Sequence, residues 1–225
     1  MLNEALQNDG KLGIYSYNDY QAYLNGNDPY GHPNINWEDE AFNKNATTQS
    51  YNLNVSGGNR VAQYVVNLGY MNEAGLFKKN KDNGYNTNLN YNRYMISSKV
   101  NINVTQDLTA SLSAIGRIIE GNQPGGSGSG YSDLLLTVFQ TPNNAYPIYN
   151  ENGTFGGNYA FQNNLLSQTM ESGYIADNTR DIMATGTLKY DFNRVVKGLS
   201  AKFIGNVRLV QQSCVQNAIL YSNIP

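Results

Sequence analysis

The 225-residue sequence predicts an all-β protein of six antiparallel strands in three hairpins. Three observations carry this. Apolar and polar residues alternate with a period of two in six runs, which puts one set of side chains on each face of a strand. Within a pair the runs are joined by short turns, and the pairs are joined by long irregular connections. The composition agrees: the chain holds 35 Asn and 22 Gly, which favour turns, and 18 Tyr, which favour strands.

Residues 1–48 carry little periodicity and read as a long loop delivering the chain to its first strand. Within them Tyr15, Tyr17, Tyr20, Tyr23 and Leu24 fit one side of a short helix around Tyr17 to Leu24, and Asn25 to Pro33 reads as turns. Trp37-Glu38-Asp39-Glu40-Ala41-Phe42 follows. Residues 49–118 contain the first two hairpins. Tyr51, Leu53 and Val55 alternate with Asn52, Asn54 and Ser56; Ala62, Tyr64, Val66, Leu68 and Tyr70 alternate with Gln63, Asn67 and Gly69. Gly57-Gly58 between them supplies two residues that tolerate positive φ, as a tight turn requires. Residues 71–93 are Asn-rich and read as a loop or a ragged strand extension. Tyr94, Ile96, Val100, Ile102 and Val104 then share a face. Tyr85, Leu89 and Tyr91 sit in the opposite phase, which suggests a bulge or the true strand start near Arg93. After Thr105 to Leu108, Ala110, Leu112, Ala114, Gly116 and Ile118 share a face.

Residues 119–180 form the longest connection, with a flexible Gly/Ser/Pro stretch from Gly121 to Gly130 and a short helix over Tyr131 to Gln140. A loop of this length is usually functional or disordered. Residues 181–211 give the third hairpin: Ile182, Ala184, Gly186, Leu188, Tyr190 and Phe192, a turn from Asn193 to Gly198, then Ala201, Phe203, Gly205, Val207 and Leu209. In the tail, 212–225, the pattern is lost and the next loop begins.

Only 14% of residues are charged, against roughly 25% in an ordinary soluble domain. A net charge of -2 leaves no basic footprint for nucleic acid. Cys214 is the one cysteine, so there is no intrachain disulfide and no cysteine-based metal site. No apolar run is long enough for a transmembrane helix, which does not exclude a barrel of short, half-apolar strands. Residues 1–13 lack the basic start and apolar core of a signal peptide. Lys99, Arg117, Lys189, Asp191, Lys202 and Arg208 all fall on the polar face. Facing lipid, a Lys or Arg at the midplane would cost about 2–4 kcal/mol, and on a watery lumen little. Periodicity alone leaves two architectures open: a transmembrane barrel, or a soluble sandwich with its core inside and its charges outside.

Catalysis finds no support, and the chain is expected not to be an enzyme. His32, the one histidine, sits in a Gly/Pro turn without sequence-placed partners. Glu38, Asp39 and Glu40 lack the second wall that a glycosidase pair needs, and read as an exposed acidic loop anchored by Trp37 and Phe42. No cofactor or metal motif is present. Ligand binding suits the long connection better. Tyr131, Phe139, Tyr146, Tyr149, Phe155, Tyr159 and Phe161 are dense in a segment with few charges. Aromatic faces and Asn amides match the C–H patches and hydroxyls of sugars. The plainer alternative is that these rings form the loop's own small core or pack on a partner or plug.

Several stretches carry a family likeness: Trp37-Glu38-Asp39-Glu40-Ala41-Phe42; Tyr51 to Asn59 with its Val-Ser-Gly57-Gly58-Asn59 end; Tyr64 to Tyr70 followed by Glu73-Ala-Gly-Leu; Asn92-Arg-Tyr; Thr141-Pro; Pro147 to Thr154; and Asp181 to Leu199. In order and spacing they resemble the SusC/RagA family of TonB-dependent outer-membrane transporters of Bacteroidetes. Trp37, Asp39, Glu40, Gly57, Gly58 and Asn59 are the family-motif positions. The resemblance implies an open six-stranded antiparallel segment of a large barrel, without its plug, with long extracellular loops. It implies a fragment, from a truncated reading frame or a partial gene, that starts in one extracellular loop and ends near another. It further implies an outer-membrane location in contact with the lipid bilayer, uptake of oligosaccharides or peptides, and a SusD-like surface lipoprotein as partner. The TonB complex would be reached only through an N-terminal part not among these residues. The alternative is a secreted all-β carbohydrate-binding or adhesive protein with no membrane role.

Overall fold

The computed structural model describes residues 2–125 and 130–218; the side chains of residues 130, 131 and 218 lie outside that description. Three short helices come first: α1 (Leu2–Asn8), α2 (Tyr17–Asn25) and α3 (Trp37–Ala41). Six strands follow: β1 (Thr48–Gly58), β2 (Ala62–Ala74), β3 (Asn90–Asn103), β4 (Leu108–Pro124), β5 (Gly173–Asp191) and β6 (Ser200–Ala218). Between β4 and β5 lie α4 (Gly130–Gln140) and a single π-helical turn, Ser167–Glu171. The strands form one antiparallel sheet in chain order, and the sheet does not close. This is an open segment of barrel-type sheet. Its turns are short at one end and its connections long at the other.

The register puts the predicted apolar residues in continuous rows across all six strands. Leu53, Leu68, Ile96, Gly116, Ile182 and Leu209 lie side by side, as do Tyr64, Val100, Leu112, Gly186 and Gly205. Toward the long connections this band ends on Tyr51, Tyr70 and Tyr94. Ring centroids in that row are 6.1 Å apart for the first pair and 5.1 Å for the second. One step further the same face carries Gln49, Asn72, Asn92, Glu120, Asn178 and Ser213. Toward the short turns the band ends at Tyr190, whose ring packs edge-on against Phe192 at 4.7 Å. From Arg180 to Tyr190 the strand runs roughly 33 Å at about 3.3 Å per residue, or roughly 25 Å of height at the usual barrel tilt. Lys99, Arg117, Lys189, Asp191, Lys202 and Arg208 all share the other face. There Asp181 accepts from Arg117 Nη2 at 2.7 Å and from Arg208 Nε at 3.0 Å.

Several element boundaries differ from the sequence pattern. The first turn is not Gly57-Gly58: both belong to β1, and of the two only Gly58 has positive φ, +150°. The reversal is made at 59–61, where the Asn59 side chain accepts from the backbone N–H of Val61 at 2.8 Å and of Ala62 at 2.9 Å. There is no bulge near Arg93. β3 pairs without interruption from Asn90, and what changes there is the chemistry of the face, from apolar to Asn. β4, β5 and β6 all run past the predicted ends, because backbone pairing continues where both faces have turned polar. The tail through Ala218 is thus strand, and residues 219–225 lie outside the description. Of the Gly121 to Gly130 stretch, residues up to Pro124 are strand and 126–129 lie outside the description. Within residues 2–48 the helix expected around Tyr17 to Leu24 is α2, and α1 and α3 are two more.

The sheet contributes little to the buried core. Trp37, Ala41, Phe77, Leu134, Val138, Tyr146, Leu165 and Leu166 form it, all in the layer made by residues 2–47, 75–89 and 130–172. Trp37 donates its indole N–H to the Pro142 carbonyl at 2.9 Å, which ties the segment before β1 to the connection after α4.

Candidate functional site

The loop layer contains a cleft of about 390 Å³ lined by Leu2, Asn3, Tyr15, Tyr20, Tyr23, Asn34, Asn143 and Asn144. Each wall has a local cause. α2 starts at a capping box: Ser16 Oγ accepts from the Asp19 N–H, and Asp19 accepts from the Ser16 N–H at 2.7 Å. It stops at Gly26, whose left-handed φ of +62° suits glycine. Tyr20 and Tyr23 are thereby presented on one side. Asn3 of α1 clamps the Tyr15 backbone, donating to its carbonyl at 2.5 Å and accepting from its N–H at 3.0 Å. The Tyr15 hydroxyl accepts from Asn144 Nδ2 at 2.6 Å, and its ring meets Tyr23 edge-on at 5.8 Å. The Ile35 N–H donates to the Asn143 carbonyl at 2.9 Å and holds the far wall in place.

Behind Tyr23 stands His32, edge-on at 5.1 Å. Its Nδ1 lies 2.6 Å from Asp28 and its Nε2 3.1 Å from Asp19. Hydrogen bonds to Asp28 and then Asp19 raise the imidazole above its ordinary value. The Gly31 N–H lowers Asp28, and the Ser16 N–H lowers Asp19.

Of the aromatics expected to meet ligand, Tyr146, Phe155 and Phe161 come together in the core of the loop layer. Tyr146 is 2% exposed, packs on Trp37 at 4.8 Å and accepts from the Leu165 N–H; it offers no free ring face. Burial pushes its hydroxyl above the usual value. Phe161 packs on Tyr146 at 5.9 Å, and Phe155 stacks on Tyr149 at 5.1 Å. Phe139 and Tyr159 are exposed, Tyr159 almost wholly. The side chain of Tyr131 lies outside the described residues. Of the motif positions, Trp37, Asp39 and Glu40 build α3. Asn36 caps that helix, its amide donating to the Asp39 carboxylate at 2.7 Å, and three acidic residues in the first turn complement the helix dipole. Gly57 and Gly58 close β1, and Asn59 opens the turn that follows, at the opposite end of the sheet.

The cleft's own residues were visible in sequence only as a tyrosine spacing. Its Asn143 and Asn144 wall depends on the Trp37–Pro142 contact, which joins positions far apart in the chain. Among the described residues no charged side chain lines it. Its offering is ring faces with amide donors and acceptors, which suits neutral polar chains such as oligosaccharides or peptide backbones. Among the described residues no group of His, Cys, Asp or Glu is arranged to hold a metal. A larger depression, about 890 Å³, lies on the apolar face of the sheet rather than in this layer.

No protein-family model matches the chain, and no curated protein matches it. Among solved structures, a chain of the RagAB peptide importer in its closed-closed state matches with a TM-score of 0.60 at 17% identity over 95% of this chain. The same importer in its open-open state matches with a TM-score of 0.59 at 16% identity, again over 95%. In both cases this chain spans 25% of the matched chain. At that identity the likeness shows the fold: six consecutive antiparallel strands with their loop layer, arranged as in one quarter of a much longer importer chain.

Proposed function

We propose that these residues form part of the wall of an outer-membrane transporter of the SusC/RagA type, importing oligosaccharides or peptides together with a SusD-like surface lipoprotein. One observation carries this: an apolar band crosses all six strands, its side chains lie open, and every charge predicted for the polar face is opposite it. Phe203 is 70% exposed, Leu209 64% and Leu112 58%, and no described element packs over them. A secreted carbohydrate-binding or adhesive protein would need a second layer over this band. In the membrane, lipid is that layer. The long connections then stand at the outer surface, with the Tyr/Asn cleft among them as a first contact for the solute. The chain acts by binding and passage, not by catalysis.

The test uses the full-length protein in its membrane, with Cys214 replaced by Ser and single cysteines introduced at Leu53, Leu188 and Ser113. The cysteines at 53 and 188 should resist a charged thiol reagent and react with a lipid-dissolved one. The cysteine at 113, on the polar face, should do the reverse. Equal reaction of all three with the charged reagent would overturn the membrane assignment.

A further inference from the structure

We propose that the apolar face holds one phosphorylated membrane lipid whose headgroup also carries N–H or O–H donors, seated with its phosphate at Arg180. The proposal rests on the membrane seating above. The depression of about 890 Å³ is a trough walled by Tyr51, Leu53, Leu68, Tyr94, Ile96 and Ile182. Gly116 lies on its floor, where Ile96 Cγ2 closes to 3.1 Å from the place a Cβ would take. The Leu and Ile side chains around that floor leave a slot for an acyl chain. Such a slot alone would suit any lipid.

The headgroup end is what discriminates. Arg180 lies on the tyrosine row, across from Ile118 on one side and Gln211 on the other. It is the one charged side chain on this face between that row and the short turns, among the described residues. It makes no ion pair there. Headgroups sit at the level of such aromatic rows. A small cavity of about 90 Å³ adjoins it, lined by Asn178, Arg180, Gln211 and Ser213. Asn178 Oδ1 is buried with no hydrogen-bond partner, so the cavity asks for a donor. Glu120, directly across from Asn178, is a second acceptor. A cation beside two acceptors is complementary to a phosphate bearing an amine or hydroxyl, as in phosphatidylethanolamine. Phosphatidylcholine has the phosphate but no donor hydrogen.

The test is native mass spectrometry of the full-length protein, extracted from its membrane and exchanged into mixed micelles of phosphatidylcholine and phosphatidylethanolamine. Folding is read separately, from heat-modifiable electrophoretic mobility. One retained phosphatidylethanolamine is expected on the wild type. Arg180→Gln should reduce retention roughly tenfold, as for loss of one charge-assisted hydrogen bond, and Arg180→Lys should recover part of it. Asn178→Leu should remove the preference over phosphatidylcholine while some lipid stays bound. Equal retention of both lipids by the wild type, or undiminished retention by a folded Arg180→Gln variant, would overturn the proposal. If the cysteine-labelling pattern fails, the membrane seating falls and the lipid site with it. A lipid result that fails while the labelling pattern holds refutes the lipid site alone.

Discussion

His32 meets two carboxylates at once, one at each ring nitrogen. A neutral imidazole can donate from only one nitrogen, so the arrangement is complete only when the ring is protonated. The clamp closes the turn between α2 and the segment leading to α3, directly behind Tyr23. Its pH dependence has a definite sign. The imidazole is raised above 6.5, so its contribution is full below that value and is lost as pH rises through the shifted one. Asp19 and Asp28 are lowered from 3.8, so theirs is present above that value and lost on acidification through the shifted ones. The clamp is therefore tightest from about pH 4 to 6.5. Hydrogen exchange of the α2 amides, corrected for intrinsic rate, should be slowest there in the wild type and faster in His32→Ala. If the variant and wild type exchange alike at pH 6, the clamp does not hold α2. The sequence pattern placed no partner for His32, and the structure gives it two, Asp28 four residues before it and Asp19. The Asp19 contact was not legible, because it depends on the chain reversing through Gly26.

At the scale of elements, alternation identified all six strands where one face is apolar, and failed where both are polar. Gln212 to Ala218 and Gly173 to Arg180 carry no hydrophobic period, yet they pair residue for residue. There the strand is specified by its neighbour's backbone, which a single run of sequence does not display. Turn chemistry was half legible: glycines marked the place, while the reversal belongs to Asn59. This separates two glycines that look equivalent. A Cβ at Gly57 would meet the movable end of Tyr64 at 2.8 Å; one at Gly58 would meet the Ala62 carbonyl oxygen at 2.4 Å, at a φ of +150°. Gly58→Ala should therefore destabilise the hairpin by at least 1–3 kcal/mol, on the order of one strained non-glycine residue, and Gly57→Ala by clearly less. Urea titration of the folded protein in detergent measures both, and equal losses would contradict the geometry. The loop layer has its own test. Leu165 is fully buried in the layer's core, and Leu165→Ala should cost about 2–5 kcal/mol locally. Trp37, the only tryptophan, reports it: its emission should shift to the red and become quenchable by iodide while the sheet's circular dichroism persists.

For the whole molecule, the decisive feature is what the sheet lacks rather than what it packs. Among the described residues, six strands in chain order leave β1 and β6 each with one unpaired side, and no other element lies against the apolar face. Alternation alone carries no measure of this openness, since a sandwich and a barrel wall share one pattern. In hydrocarbon, each unpaired backbone group costs several kcal/mol, so only a closed sheet is stable there. In water, free edges and a bare apolar band drive association. Residues 1–225 produced alone should thus neither insert as a stable monomer nor carry solute. Refolded into liposomes, they should give no saturable uptake of a labelled oligosaccharide, and in detergent they should elute as mixed oligomers. Saturable flux from this chain alone would mean that six strands can close around a pore, by pairing β1 with β6 of the same or another copy. Crosslinking between cysteines placed at Asn52 and Asn206 would then report that closure directly. Neither flux nor the crosslink is expected, because β1 and β6 are the two outermost strands of the sheet, with four others between them.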